Sequence, residues 1–175
     1  YNTRKKIDSP VSVKMIKVEN FDGCVVDTAG AQEVEIEESK VSNYLVQKGD
    51  ILLASKGTVI RAAIVQNIDE PCIFNSNINI IRVKEGANLI PEFLLSYLNS
   101  DLWMKQLMLI QTGDIVKNIS LKALREMDVP MLDMDTQEVI EVRFNKLQQK
   151  LVEAKKAVAE YENKINGLFD MEVSD

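Results

Sequence analysis

Four glutamates crowd into "EVEIEE", at Glu33, Glu35, Glu37 and Glu38. Neighbouring carboxylates can divide acid and base roles between them. In this strand-like setting they read instead as a solvated face or loop. The chain contains no histidine, which removes the commonest general base and the commonest metal ligand. It also has no G-x-S-x-G, no glycine-rich phosphate loop and no spaced His/Cys cluster. Cys24 and Cys72 are too isolated for a disulfide framework or a metal site, and point to a reduced, intracellular setting. The expectation is a non-catalytic chain with no metal and no cofactor of its own.

With 175 residues, 46% of them hydrophobic, the chain can bury one good core and carry an appendage. No apolar run reaches membrane-spanning length and no signal peptide opens the sequence, so a soluble, cytoplasmic protein is expected. The first residue is Tyr1 rather than methionine, as in a piece cut from something longer or one missing a leading segment. The net charge of −6 argues against simple nucleic-acid binding, but it is unevenly spread. Residues 1–130 hold 15 basic and 17 acidic side chains, whereas residues 131–175 hold 6 and 10, so the acidity concentrates in the tail. The first 17 residues are basic, through Arg4, Lys5, Lys6, Lys14 and Lys17 against Asp8 alone.

The elements that must position any site are short. "VSVKMIKV", "GCVVD" and "EVEIEE" read as strands, with Gly23 and Gly30 at turns. "SKVSNYLVQKGD" contains one helical turn before a bend at Gly49 and Asp50. "ILLAS" and "VIRAAIVQN" form a strand pair about the turn "KGT", and "CIFNSNINIIRV" adds one or two more strands. Pro91 opens a helical stretch, "EFLLSYLNSDLWMKQLMLIQ", with a break at Asn99–Asp101. A polar run "TGDIVKNIS", a helix "LKALREM" capped by Ser120, a strand "DVPML" and an acidic joint "DMDT" follow. Trp103, Phe93, Leu94, Tyr97, Leu98, Leu107 and Leu109 are read as packing residues, with base stacking by Trp103 the lesser alternative.

From residue 140 apolar residues recur in alternating steps of four and three: Ile140, Phe144, Leu147, Leu151, Ala154, Val158, Tyr161, Ile165 and Leu168. This is a narrow a/d seam of about four heptads, flanked by Lys, Glu, Gln and Asn. Asp135 with Glu138 is a plausible cap, and Gly167 a plausible stop. At 1.5 Å per residue the seam spans roughly 40 Å. One helix cannot bury it alone, so it calls for a second long helix. The alternative is a terminal helix lying on its own core.

In order, "YLVQKGDILLASKGTVIRAAIVQ", "FNSNINIIRV", "PEFLLSYLNS", "TGDIVKNISLKALREMDVPMLDMDTQEVI" and the heptad helix resemble one half of the DNA-specificity subunit of type I restriction-modification enzymes. The likeness runs from about Tyr44 to Leu168 and rests on the order of its pieces, none of which is specific alone. Met131 and Met134 stand where the family often has a second proline and a charged pair, and residues 1–43 match only loosely. The resemblance implies a mixed α/β (α+β) fold. Residues 1–132 would be a mostly β-stranded target recognition domain with short helices, and residues 133–175 a spacer formed by one long coiled-coil helix. It also implies partners. These are double-stranded DNA, methyltransferase and restriction subunits, and a second copy or second half-subunit paired through the seam. S-adenosylmethionine would be held by the methyltransferase subunit, and partner subunits can supply the phosphate-neutralising charge this chain lacks.

Base reading uses Arg and Lys on guanine and Asn and Gln on adenine, while Lys, Arg, Ser, Thr and backbone amides position phosphates. If the chain reads DNA, three loop stretches supply such groups: Lys56, Thr58 and Arg61; Asn75 and Asn77; and Thr112, Lys117 and Asn118. The third is favoured, as a polar run between helices with no other evident purpose. Each residue has a plain alternative: Thr58, Asn75 and Asn77 as turn formers, the lysines as solubilising charge. Two other contexts fit as well, a recognition module ending a single-chain restriction-methyltransferase fusion, and a coiled-coil adaptor whose head binds protein.

Overall fold

The computed structural model describes residues 9–55, 60–110 and 119–172. Strand β1 (Pro10–Ile16) lies between β4 (Gln32–Glu37), antiparallel, and β7 (Cys72–Phe74), parallel. Alternation along β1 and β4 sorts their side chains by face. Val11, Val13 and Met15 pair with Ile36, Val34 and Gln32, while Ser12 and Lys14 pair with Glu35 and Glu33 on the other side. The glutamates are thus a surface row: Glu33 accepts a hydrogen bond from Ser12, and Glu37 pairs with Lys40. Helix α1 (Glu38–Tyr44) packs on β4 and β7.

A second sheet has the order β2 (Phe21–Asp22), β3 (Val25–Val26), β6 (Arg61–Ile64), β5 (Ile51–Ala54) and β8 (Ile78–Ile81). All four residues of β5 are buried, because both faces of this sheet are covered. Leu52 and Ala54 join Ile16, Phe21, Val26, Ala63, Val65 and Cys72 in a core shared with the first sheet. Ile51 and Leu53 face the other way, onto Leu94, Leu95, Leu98, Trp103 and Leu107 of helices α2 (Pro91–Leu98) and α3 (Asp101–Ile110). The fold is therefore mixed α/β in three layers, followed by the long helix α5 (Met134–Glu172). Proline at the first position starts α2, and Trp103, 1% exposed, is a packing residue, as expected from their spacing.

Four local expectations change. Leu109, read as a packing residue, is 87% exposed on the outer side of α3. "DVPML" pairs with no strand. Pro130 lacks a donor, Met127 and Val129 pack on the helical core, and the Tyr97 hydroxyl donates to the Asp128 carbonyl at 2.9 Å. Helix α5 is capped by Asp133, not by Asp135 with Glu138. Asp133 accepts from the Thr136 amide at 2.8 Å and from its hydroxyl, and these bonds hold its carboxyl below the usual carboxylate range. Gly167 does not stop the helix, which runs on to Glu172. A glycine lowers helix propensity by about 1 kcal/mol, too little to end a run that continues on both sides.

A half-buried ion pair joins the residue before β5 to the residue after β8. Arg82 grips Asp50 with both arms, at 2.6 and 2.7 Å, and Asp50 is 1% exposed. The carboxylate also accepts from the Gln47 amide, and its hydrogen bond raises the arginine's pKa. Arg82→Met leaves that carboxylate without its counter-charge and is expected to cost about 2–4 kcal/mol in urea unfolding, since water reaches the arginine side. A loss under about 0.5 kcal/mol would show that solvent replaces the guanidinium there.

Candidate nucleic-acid interface

Ser55 is the residue on which the loop ends converge. Its amide donates to the Asn77 carbonyl at 2.9 Å, its hydroxyl reaches the same oxygen at 3.2 Å, and its own carbonyl accepts from the Ile119 amide at 2.9 Å. Ser55 and Ile119 are 3% and 2% exposed, so these bonds are dry and well fixed. The chain leaves β5 at Ser55 toward the first candidate stretch. It turns at Asn77 within the second, and returns from the third at Ile119. Strand pairing alone accounts for part of this, because Ala54 faces Arg61 on one side and Ile78 on the other. The Ile119 bond brings in the segment between the helices. Ser120 then caps helix α4 (Leu121–Arg125) by accepting from the Ala123 amide at 3.1 Å.

The candidate residues themselves fall into three groups. Lys56, Thr58, Thr112, Lys117 and Asn118 lie outside the described residues. Asn75 and Asn77 build the turn between β7 and β8: Asn75 Oδ1 accepts from the Asn77 amide at 3.1 Å and the Asn75 carbonyl from the Ile78 amide. Asn77 is exposed, which leaves its carboxamide available to a ligand. Arg61 is committed within the protein, donating to the Val18 carbonyl at 2.7 Å with its guanidinium over the Phe21 ring.

Other polar residues prove structural in ways their sequence context concealed. Asn99, read only as part of a helix break, pairs its carboxamide with both backbone groups of Ala62 at 3.0 Å, standing in for a strand neighbour where β3 is too short to reach. Gln137 is wholly buried and spends its amide on the junction between head and rod. Its Oε1 accepts from the Ile90 amide at 3.0 Å, and its Nε2 donates to the Asn88 and Leu132 carbonyls at 3.1 and 2.8 Å. Gln137, at the head of the long helix, is one of the elements that carry the family resemblance, but its place in the sequence does not reveal that it is buried.

The proposed pairing seam divides in two. Ile140 is half-buried and Phe144 packs into the helical core of the head. Beyond them Leu147, Leu151, Ala154, Val158, Tyr161, Ile165 and Leu168 are exposed; Leu147 and Ile165 are each 66% accessible. Apolar side chains repeating at heptad spacing along this stretch form a surface with nothing over it among the described residues. Among the described residues no three metal-ligating side chains gather, and no helix is long and apolar enough to cross a membrane.

Two solved structures share the fold. The crystal structure of the HsdS subunit from Thermoanaerobacter tengcongensis aligns over 82% of this chain with a TM-score of 0.52 and 16% identity. A chain from a structure on complex assembly and conformational transition of the type I R-M system aligns over 94%, with a TM-score of 0.59 and 16% identity. The present chain spans 31% and 43% of those chains. No curated protein matches it. The family model for the type I restriction modification DNA specificity domain matches residues 5–161, nearly the whole length. A three-layer head with its loop ends gathered at one point, a single long helix and this match lead to one conclusion: the chain belongs to the type I restriction-modification DNA specificity domain family.

Proposed function

We propose that the head reads one half of a split duplex target with the loops that meet at Ser55, and that α5 pairs with a second long helix to hold two such heads apart. The observation that carries this reading is the set of bonds from Ser55 to Asn77 and Ile119. A duplex-reading surface needs several loops on one side of a rigid scaffold, and a buried hub fixes their ends relative to one another. The exposed heptad seam supplies the second half of the reading: a two-helix rod sets a distance, as dimer geometry sets half-site spacing in other readers. On this reading methyl transfer and cleavage belong to partner subunits, with S-adenosylmethionine in the methyltransferase subunit. This chain acts by placing those subunits on the target. Its net charge of −6 then matters less than the charge of the assembled complex.

The test is a binding titration of the assembled complex, with the target taken from methylomes of the source cell with and without this gene. Asn118→Ala is expected to relax preference at one base pair and to cost about 1–3 kcal/mol on the cognate duplex. Lys117→Ala is expected to weaken all duplexes alike and to lower the salt slope by about one. Equal affinity of both variants and the parent on every duplex, at every salt concentration, would move the reading surface to the turn carrying Lys56 and Thr58.

A further inference from the structure

The hairpin β2–β3 touches the long helix well beyond the junction at Gln137. Its two-residue turn is Gly23 and Cys24, with Gly23 at φ 62°, where glycine carries no Cβ penalty. The turn meets α5 at two residues seven apart. Gln148 lies against Gly23, its Oε1 3.7 Å from where a Cβ would stand, and Lys155 Nζ sits 3.1 Å from Asp22 Oδ1. The other side of Cys24 is braced by Asn99, whose Nδ2 is 3.6 Å from the sulfur. The hairpin is also tied to the large sheet, through the Ile64 amide on the Cys24 carbonyl.

From these contacts we infer that the hairpin is a clamp that fixes the angle between head and rod, and through it the separation at which paired rods hold two heads; the second part rests on the reading under Proposed function. Leverage is the reason a modest contact matters. Phe144 is the last residue of α5 inside the head's core, and Lys155 lies about 16 Å further along the helix. Were Phe144 the only pivot, a tilt of about 10° would move Lys155 by about 3 Å and Leu168 by about 6 Å. The second displacement approaches two base-pair steps of about 3.4 Å each. An exposed ion pair adds little to stability, yet at that distance from the pivot it restricts the angle far more than any contact at Gln137. The clamp also leaves the seam free. At about 100° per residue Gln137, Phe144, Gln148 and Lys155 fall on one stripe, and the exposed seam from Leu147 to Leu168 centres roughly 90° round the helix from it, with Leu151 nearest at about 40°. Head and partner helix therefore take different faces of α5.

The angle can be read directly. Spin labels carried by genetically encoded residues at Lys105 on α3 and Glu162 on α5 report the head-to-rod distance by double electron–electron resonance, with labelled chain diluted into unlabelled chain. Lys155→Glu places like charges face to face and is expected to widen the distance distribution at least about twofold. The exchanged pair Asp22→Lys with Lys155→Glu is expected to narrow it again, a rescue that general destabilisation would not produce. An unchanged width in the single variant, or no recovery in the exchanged pair, overturns the clamp. In the assembled complex, duplexes with the two half-sites at stepped separations test the consequence. The parent should prefer one separation by about tenfold or more, Lys155→Glu should reduce that preference to about threefold, and the exchanged pair should restore it. A widened angle with an unaltered preference overturns the link to spacing. If the parent complex binds no duplex, the DNA reading fails while the distance measurement still decides the clamp.

Discussion

Gln137→Leu is expected to lower stability by about 3–5 kcal/mol, measured by chemical unfolding followed through Trp103 fluorescence. The leucine fits the volume but removes one acceptor and two donors from a site with no exposure to water. The Ile90 amide and the Asn88 and Leu132 carbonyls are then left without partners, and each buried unsatisfied group costs about 1–3 kcal/mol. Those three groups belong to the segments entering α2 and α5, so the loss falls on the joint between head and rod. Gln137→Glu separates hydrogen bonding from size. It keeps the acceptor toward Ile90 but loses both donors and buries a carboxylate, so it is expected to be at least as damaging near neutral pH. A loss below about 1 kcal/mol for both variants would mean that the joint rearranges to let water in.

Replacing Leu147, Leu151 and Val158 together by Asp is expected to weaken helix pairing by at least about a thousandfold, seen as a shift from dimer to monomer in sedimentation across tens of micromolar. Truncating a packed aliphatic knob costs about 2–5 kcal/mol, and an unpaired charge in the seam adds to it, so three sites comfortably exceed the ~4 kcal/mol that a thousandfold change represents. The three residues are 66%, 46% and 55% exposed in the single chain, so folding of the head should be unaffected. If the parent chain is already monomeric and the variant behaves identically, the seam is not a pairing surface in this chain. Loss of the head's own unfolding transition would instead assign the seam to intramolecular packing.

The legible parts of this protein were those governed by local periodicity. The apolar run of β5 announced a strand, Pro91 announced a helix start, and the steps of four and three from Ile140 announced a long helix with a narrow apolar edge. Each follows from backbone geometry within a few residues, so no knowledge of the rest of the chain was needed. The order of these pieces was enough to suggest the family. Exact ends were less legible. Asp133 and Asp135 are equivalent as cap candidates until the backbone selects one, and "DVPML" has strand composition but no strand edge to join.

What only the tertiary structure decided is which polar side chains are already spoken for. Arg61, on sequence a free cation beside a turn, is turned inward onto the Val18 carbonyl and the Phe21 ring. Gln137 and Asn99, to which the sequence assigned no structural partner, complete the hydrogen bonding of backbone groups 37 to 49 residues away. The hub at Ser55 joins residues 22 and 64 positions apart. A residue's type and neighbours set what it can bond, but burial removes water as the default partner, and only the packed fold determines which distant groups take its place. Sequence alone therefore determined the elements and the seam, whereas the division of polar residues between scaffold and available surface was settled by packing.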